Sequence, residues 1–334
     1  MFSQLYFLTK RNFISFIKEP KRVFFTFLSP LLATLIFLLF AQSLFNQETY
    51  SQSITAQIYA LKTDSSAFAL KGDLIKTLDP NKIVDAFIDS TFLAGLLGIT
   101  TITTALSLCS IMVEDAKNKV LNDLFITPVR GGVVRMSYLG FNFVINTIIS
   151  LIIMVFLFIY QAFRGTFYYH TDQVFIIIAL VILSCLLNSA FFIFVISYVR
   201  NTNAFAAMSA GISSVIGFFI GSFIPLTQLP QSLAQVASIL PGTQMVNAMK
   251  LTILPLNKFD PSIFQKALEF NQSSGLNIET NKLLSIIDLS VSSISFNKLF
   301  GIDVSQSVNI IYCASFTLIF IFLNFAVKFK KNSR

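Results

Sequence analysis

The 334-residue sequence predicts an all-α integral membrane protein. It reads as one membrane domain over residues 1–334, with about six transmembrane helices, an amphipathic interface helix at residues 1–22 and a re-entrant helix pair after the fifth span. Three observations carry this. The chain is 54% hydrophobic and only 12% charged, with a mean hydropathy of +0.74, whereas soluble domains are about 25% charged. Its apolar runs are long enough to cross a hydrocarbon core of ~30 Å, which takes about 20 helical residues. Most of its Lys and Arg residues fall between those runs, as membrane topology requires.

Ahead of the first run, Phe2, Leu5, Tyr6, Phe13 and Ile17 recur at helical spacing beside Lys10, Arg11, Lys18, Lys21 and Arg22, the pattern of a helix lying in the interface. The same stretch lacks a basic start and is interrupted by Lys10 and Arg11, so it does not read as a signal peptide. Residues 23–45 form the first span, with Pro30 bending it. Residues 46–85 mix Glu48, Asp64, Asp73, Asp79 and Asp85 with Lys62, Lys71, Lys76 and Lys82 and predict an external, water-facing loop. The second span, residues 86–113, has no charge after Asp89 and holds Gly95, Gly98, Thr100, Thr101, Thr103 and Thr104. Small residues of this kind let helices approach closely in lipid.

Spans three and four follow at residues 136–160 and 173–198, around a short loop with Arg164 and Asp172. No charged residue lies between Arg200 and Lys250, and residues 204–222 form a fifth span. Pro225, Pro230 and Pro241 then break the apolar sequence. Such pieces are tolerated at membrane depth only when packed in protein or lining a cavity. Residues 223–254 therefore read as the re-entrant pair, a gate built around Pro225, Leu229, Pro230, Leu233 and Pro241, with Leu226, Leu229, Leu233 and Val236 packed on spans five and six. Residues 255–305 are polar, a second external loop with a short amphipathic helix at 282–291, and the last span covers 306–327.

Orientation follows from the basic residues. Fourteen of the 24 Lys and Arg residues lie in the compact flanks at the N-terminus, in 114–135, after span four and in the tail. Positive charge concentrates in cytoplasmic flanks, so both termini and the 114–130 loop are expected inside and the two long loops outside.

Several functions are disfavoured. The net charge of +8 is spread over membrane flanks, without a basic helix interleaved with aromatics, so no nucleic-acid partner is expected. Cys109, Cys185 and Cys313 sit in three separate apolar stretches and His170 stands alone, which supports neither a disulfide framework nor a metal or cofactor site. There is no G-x-x-x-x-G-K-[ST] phosphate loop, no H-E-x-x-H and no G-x-S-x-G elbow. An ion-coupled carrier commonly places carboxylates near the bilayer centre, and these spans offer almost none. That carrier, and a non-transporting assembly or anchoring protein, remain the alternatives.

Between spans two and three, Val120, Leu121, Leu124 and Phe125 fall on one helical face, with Asp115, Lys117, Asn118, Asn122 and Asp123 on the other. Asp115 and Lys119 stand at i and i+4, where they can support a helix as an ion pair, and Pro128 ends it. An amphipathic helix projecting from between two spans can dock in a partner's groove. The segment VEDAKNKVLNDLFITPVRGG resembles the coupling helix of type-2 permeases of ATP-binding-cassette (ABC) exporters, through acidic Glu114, the apolar face of Leu121, Leu124 and Phe125, and terminal Thr127 and Pro128. Family members often carry Gly-Thr where Lys119 and Val120 stand, and Glu in place of Asn122. A second segment, GSFIPLTQLPQSLAQVASILPGTQMVNAMK, is similar to the family's stretch after span five, with Gly221, Pro225, Leu229, Pro230, Leu240 and Pro241 at the family's intervals and Lys250 at its basic end. The resemblance implies a drug-resistance-like exporter subunit, non-catalytic itself, in the cell membrane. Its implied partners are an ABC-type ATPase coupled through 114–128, a second permease copy or paralogue, and membrane lipid.

Overall fold

The computed structural model describes residues 2–44, 80–126, 129–167, 169–222, 226, 229–253, 298–299 and 302–326, together with 52, 55–56, 73, 269 and 272–273. Most of both expected external loops, the helix expected at 282–291, and the site residues Thr127, Pro128 and Pro225 lie outside the described residues. The helices are α1 (Phe2–Ile17), α2 (Pro20–Leu44), α3 (Pro80–Leu108), α4 (Ser110–Lys117), α5 (Val120–Ile126), α6 (Gly131–Arg164), α7 (Thr171–Ile196), α8 (Thr202–Phe219), α9 (Gln231–Ile239), α10 (Pro241–Ile253) and α11 (Gln306–Ala326). A two-residue antiparallel ladder, β1 (Lys298–Leu299) with β2 (Ile302–Asp303), precedes α11. Among the described residues, five stretches are long and apolar enough to cross a membrane: Ile88–Lys117, Gly131–Arg164, Thr171–Ile196, Thr202–Phe219 and Gln306–Ala326. The expected first span lies on α2, a 25-residue helix with no charged residue after Arg22. The chain is thus an all-α integral membrane protein.

Local chemistry sets the helix ends. α3 starts six residues before the expected span, because Asp79 and Pro80 form a start signal in which proline occupies the first helical position without losing a hydrogen bond. α6 runs 34 residues, about 51 Å at 1.5 Å per residue, and includes Arg164, a residue expected in the following loop. Gly165, at φ 69°, ends it, with Thr166 N donating to Gln161 O at 2.9 Å and Gly165 N to Ala162 O at 3.2 Å. Asn201 caps α8 by accepting from Asn203 N at 2.8 Å.

α3 is the central helix, with 83% of its apolar window buried, and packs on α6, α7 and α10. α8 is the opposite case, with 11% buried. The short α10 is wedged between α3, α7 and α11, and every residue from 243 to 250 is buried. Glycines permit this. Gly98 of α3 faces Val246, and Gly242 of α10 faces Ile102, where a Cβ would come within 2.9 Å of Ile102 Cδ1. Each helix therefore offers a glycine to the other one turn apart, in antiparallel sense.

Buried polar side chains bind α3, α6 and α7 together. Asn142 Nδ2 donates to Ala105 O at 2.8 Å and Asn146 Nδ2 to Thr101 O at 3.0 Å, a four-residue spacing on α6 matching one on α3. Ser189 of α7 donates to Asn142 Oδ1 at 2.9 Å, and the Thr101 and Ser184 hydroxyls meet at 2.9 Å. Side-chain bonds of this kind contribute about 0.6 kcal/mol each between helices in lipid. The outward faces carry Phe24, Phe25, Ile152, Val155, Leu318 and Phe322, all exposed, as a lipid-facing surface should.

α9 and α10 form a V. α9 contacts β1, which precedes α11, and its last carbonyl, Ile239 O, accepts from Tyr312 Oη at 2.7 Å. The carbonyl of Pro241 accepts from Cys313 Sγ at 3.4 Å. α10 then returns to the start of α7 and α11, where Gln173 Nε2 donates to Thr252 O at 3.0 Å and Gln306 Nε2 to Ala248 O at 3.2 Å. The elbow lies six to seven residues along α11, about 10 Å from its beginning.

Candidate functional site

Glu114 and Asp115 sit on α4, at the end of the bundle where α1 and α2 also meet. The Arg22 guanidinium pairs with Glu114 and also with Glu19 at 2.9 Å. Arg11 pairs with Asp115, which also accepts from the Tyr138 hydroxyl of α6, and Arg11 donates to that hydroxyl at 3.1 Å. Burial disfavours the Arg11 charge, but Tyr138 and Asp115 outweigh it and leave its pKa above the usual arginine value. Along the same contact, Asn12 Nδ2 donates to Ser137 Oγ at 3.4 Å, and Phe13 and Phe16 stand edge-on to Phe141 at 5.2 and 5.5 Å. The amphipathic α1 is clasped to α4 and α6 by charge on one side and aromatic packing on the other.

This corrects the expected Asp115–Lys119 ion pair. α4 stops at Lys117, and Lys119 takes φ 63°, a left-handed turn into α5. A non-glycine residue at positive φ breaks the helical phase that an i, i+4 pair needs, and Asp115 is committed to Arg11 instead.

On α5, Leu121 is 7% exposed and Leu124 half-buried, both against the bundle's own apolar cluster. Phe125 lies in the same helix. Asp123 is exposed, and Ile126 is 84% exposed. Leu121 and Leu124 of the apolar face read from sequence are thus turned into the chain itself, and the accessible side of α5 carries Asp123 and Ile126, of which Ile126 was not singled out. Ile126 could have been found by extending the helical phase one position beyond Phe125. Arg11, Arg22 and Tyr138 left no such local signal.

In the V, Leu226 is 2% exposed and Leu229 half-buried, but Pro230 and Leu233 are exposed. Leu233 at 48% and Val236 at 54% do not pack on neighbouring helices as expected; Ala234, Ala237 and Ser238 form the inward face of α9. Small side chains let α9 lie close to α10, and helical phase then turns Leu233 and Val236 outward. Pro241 opens α10 as its first residue, half-buried.

The far end of the bundle has its own cluster, also unforeseen. Arg164 Nη1 donates to Asp89 Oδ1 at 2.8 Å and to Tyr160 Oη at 3.3 Å, and Thr166 Oγ1 donates to Asp89 Oδ2 at 2.7 Å. Asp85 lies 3.5 Å from the same guanidinium.

The geometry comprises a bundle of apolar spans, a short two-helix connector clasped to an amphipathic N-terminal helix, and after the fifth span a V with an exposed arm, α9, and a buried arm, α10. No curated protein matches the chain. A sequence model of the ABC-2 type transporter family matches residues 3–254, about three quarters of the chain, from α1 through α10. The chain therefore belongs to the ABC-2 type transporter family and is a membrane permease subunit of an ABC transporter.

Proposed function

We propose that this permease is the membrane half of an ATP-driven exporter that moves a hydrophobic or amphipathic, drug-like substrate out of the cell. A separate ABC-type ATPase docks on α5 and supplies the energy. Both termini and α5 face the cytoplasm, in the cell membrane, and the α9–α10 V is a re-entrant gate at the outer side. A second permease copy or paralogue covers α8, whose exposed face of Ala206, Ala207, Ala210, Gly211, Ser213 and Ser214 suits close helix packing. The observation that carries this reading is the α4–α5 connector of an ABC-2 chain, tied by ion pairs to α1 and α2 and presenting Asp123 and Ile126 outward.

The test is co-purification of the tagged permease with a P-loop ATPase encoded beside it. Ile126→Asp places a carboxylate in the docking surface and should lower recovery of the ATPase about tenfold, the equivalent of ~1.4 kcal/mol, with membrane insertion unchanged. Equal recovery would move the docking surface elsewhere. In proteoliposomes holding both subunits, a hydrophobic dye should be extruded only with ATP; extrusion without nucleotide would reject an ATP-driven exporter.

A further inference from the structure

α8 is held to the bundle at few points. Its buried residues are Phe205, in the apolar cluster that contains Ile111 and Met112 of α4, and Gly217 near its end. Beyond it the chain makes a tight turn at Ile220, Gly221 and Ser222, all buried, with Gly221 at φ 68°. A Cβ at Gly221 would come within 2.8 Å of Leu226 Cγ, so the turn is both conformationally and sterically restricted to glycine.

Three side chains fasten this turn. Ser222 Oγ donates to Gly95 O of α3 at 2.8 Å, Thr243 Oγ1 of α10 donates to Phe219 O at 3.2 Å, and Lys250 Nζ of α10 donates to Gly221 O at 2.8 Å. Lys250 is 3% exposed. A buried ammonium is costly unless paired, and among the described residues no carboxylate lies within ion-pair distance of it. Its partner is the carbonyl of Gly221, in the turn two residues past the end of α8. A methionine would fill similar volume without the desolvation cost, so what the charge adds here is this bond.

We propose that Lys250 is a positioning residue for transport: it pins the turn that follows α8 to α10, so that α8 and the α9–α10 V shift as one piece. This rests on the reading of α5 as the ATPase dock and of the V as the outer gate, and supplies the link between them. α8 begins against α4, beside the dock, and ends in the turn that Lys250 holds. A displacement of α4 reaches the V through α8 only while that end is fastened.

The test uses the full chain in lipid nanodiscs, with spin labels on cysteines replacing Ser214 of α8 and Leu233 of α9, both exposed. The native cysteines are buried and do not compete for label. Pulsed dipolar spectroscopy should give a single narrow distance distribution. Lys250→Met should make it about twofold broader, as the two helices sample independent positions, and Lys250→Arg should restore it. An unchanged width in Lys250→Met overturns the pin. Should that variant fail to insert, Lys250→Gln, whose amide stops one bond short of the ammonium, takes its place with the same expectation and the same overturning result. With the ATPase and a non-hydrolysable ATP analogue, the wild-type 214–233 distance should hold while the distance from 214 to a label at exposed Ile159 of α6 changes. If nucleotide moves neither pair and Lys250→Met is still broadened, the exporter reading fails and the pin stands.

Discussion

Both ends of the helix bundle are closed by ion pairs, yet the pairs join different things. At one end Arg164, the last residue of α6, meets Asp89 of α3, so two spans of the bundle are fastened to each other. At the other end Arg11 and Arg22, from the N-terminal α1 and α2, meet Asp115 and Glu114 of the connector α4. The side chain of Asp89 is 3% exposed, against 42% for Glu114. A pair removed from water strands a costly charge when one partner is lost, whereas an exposed pair is replaced by water at little cost. The first end is therefore built to stay shut, and at the second the Arg22–Glu114 pair is the contact most readily parted.

Three substitutions can break or sharpen that contrast. Asp89→Ala should have the largest effect, about 3 kcal/mol, because it leaves a mostly buried guanidinium and the Thr166 hydroxyl without their main acceptor; thermal unfolding of the purified protein in detergent should show it, and an unshifted midpoint would remove the distinction between the ends. Asp115→Ala should cost about 1.5 kcal/mol, since Arg11 and Tyr138 both lose a charged acceptor but Arg11 retains access to water. Glu114→Ala should cost less than about 1 kcal/mol and should become indistinguishable from wild type in high salt, where exposed pairs are screened. If Glu114→Ala destabilised the protein as much as Asp89→Ala, the connector would be part of the rigid bundle.

The spans were legible in the sequence because hydrocarbon demands continuous apolar runs. Pro230 and Pro241 also marked breaks in the apolar run, through the missing amide hydrogen, and they fall at the N-cap of α9 and the first residue of α10. Hydropathy is blind to helical turns that extend into polar sequence, which is why α3 and α6 came out too short. Pairs such as Arg22 with Glu114 and Arg11 with Asp115, separated by 92 and 104 residues, leave no local periodicity. The count of positive flanks also takes Arg135 as water-facing, whereas Arg135 is 1% exposed over the Tyr198 ring. Composition says that a segment contains a cation and not which way its helix turns it.

The unequal lengths of α8 and α6 have a consequence for the surrounding lipid. An 18-residue helix reaches about 27 Å and a 34-residue one about 51 Å, against a hydrocarbon slab of ~30 Å. The end turns of α6 extend into polar sequence beyond that slab, whereas beside the exposed, shorter α8 the acyl chains must shorten or splay, at a fraction of a kcal/mol for each ångström of mismatch. Covering α8 with protein relieves that deformation, so longer-chain lipids should favour association of two permeases along this face and shorter-chain lipids should loosen it.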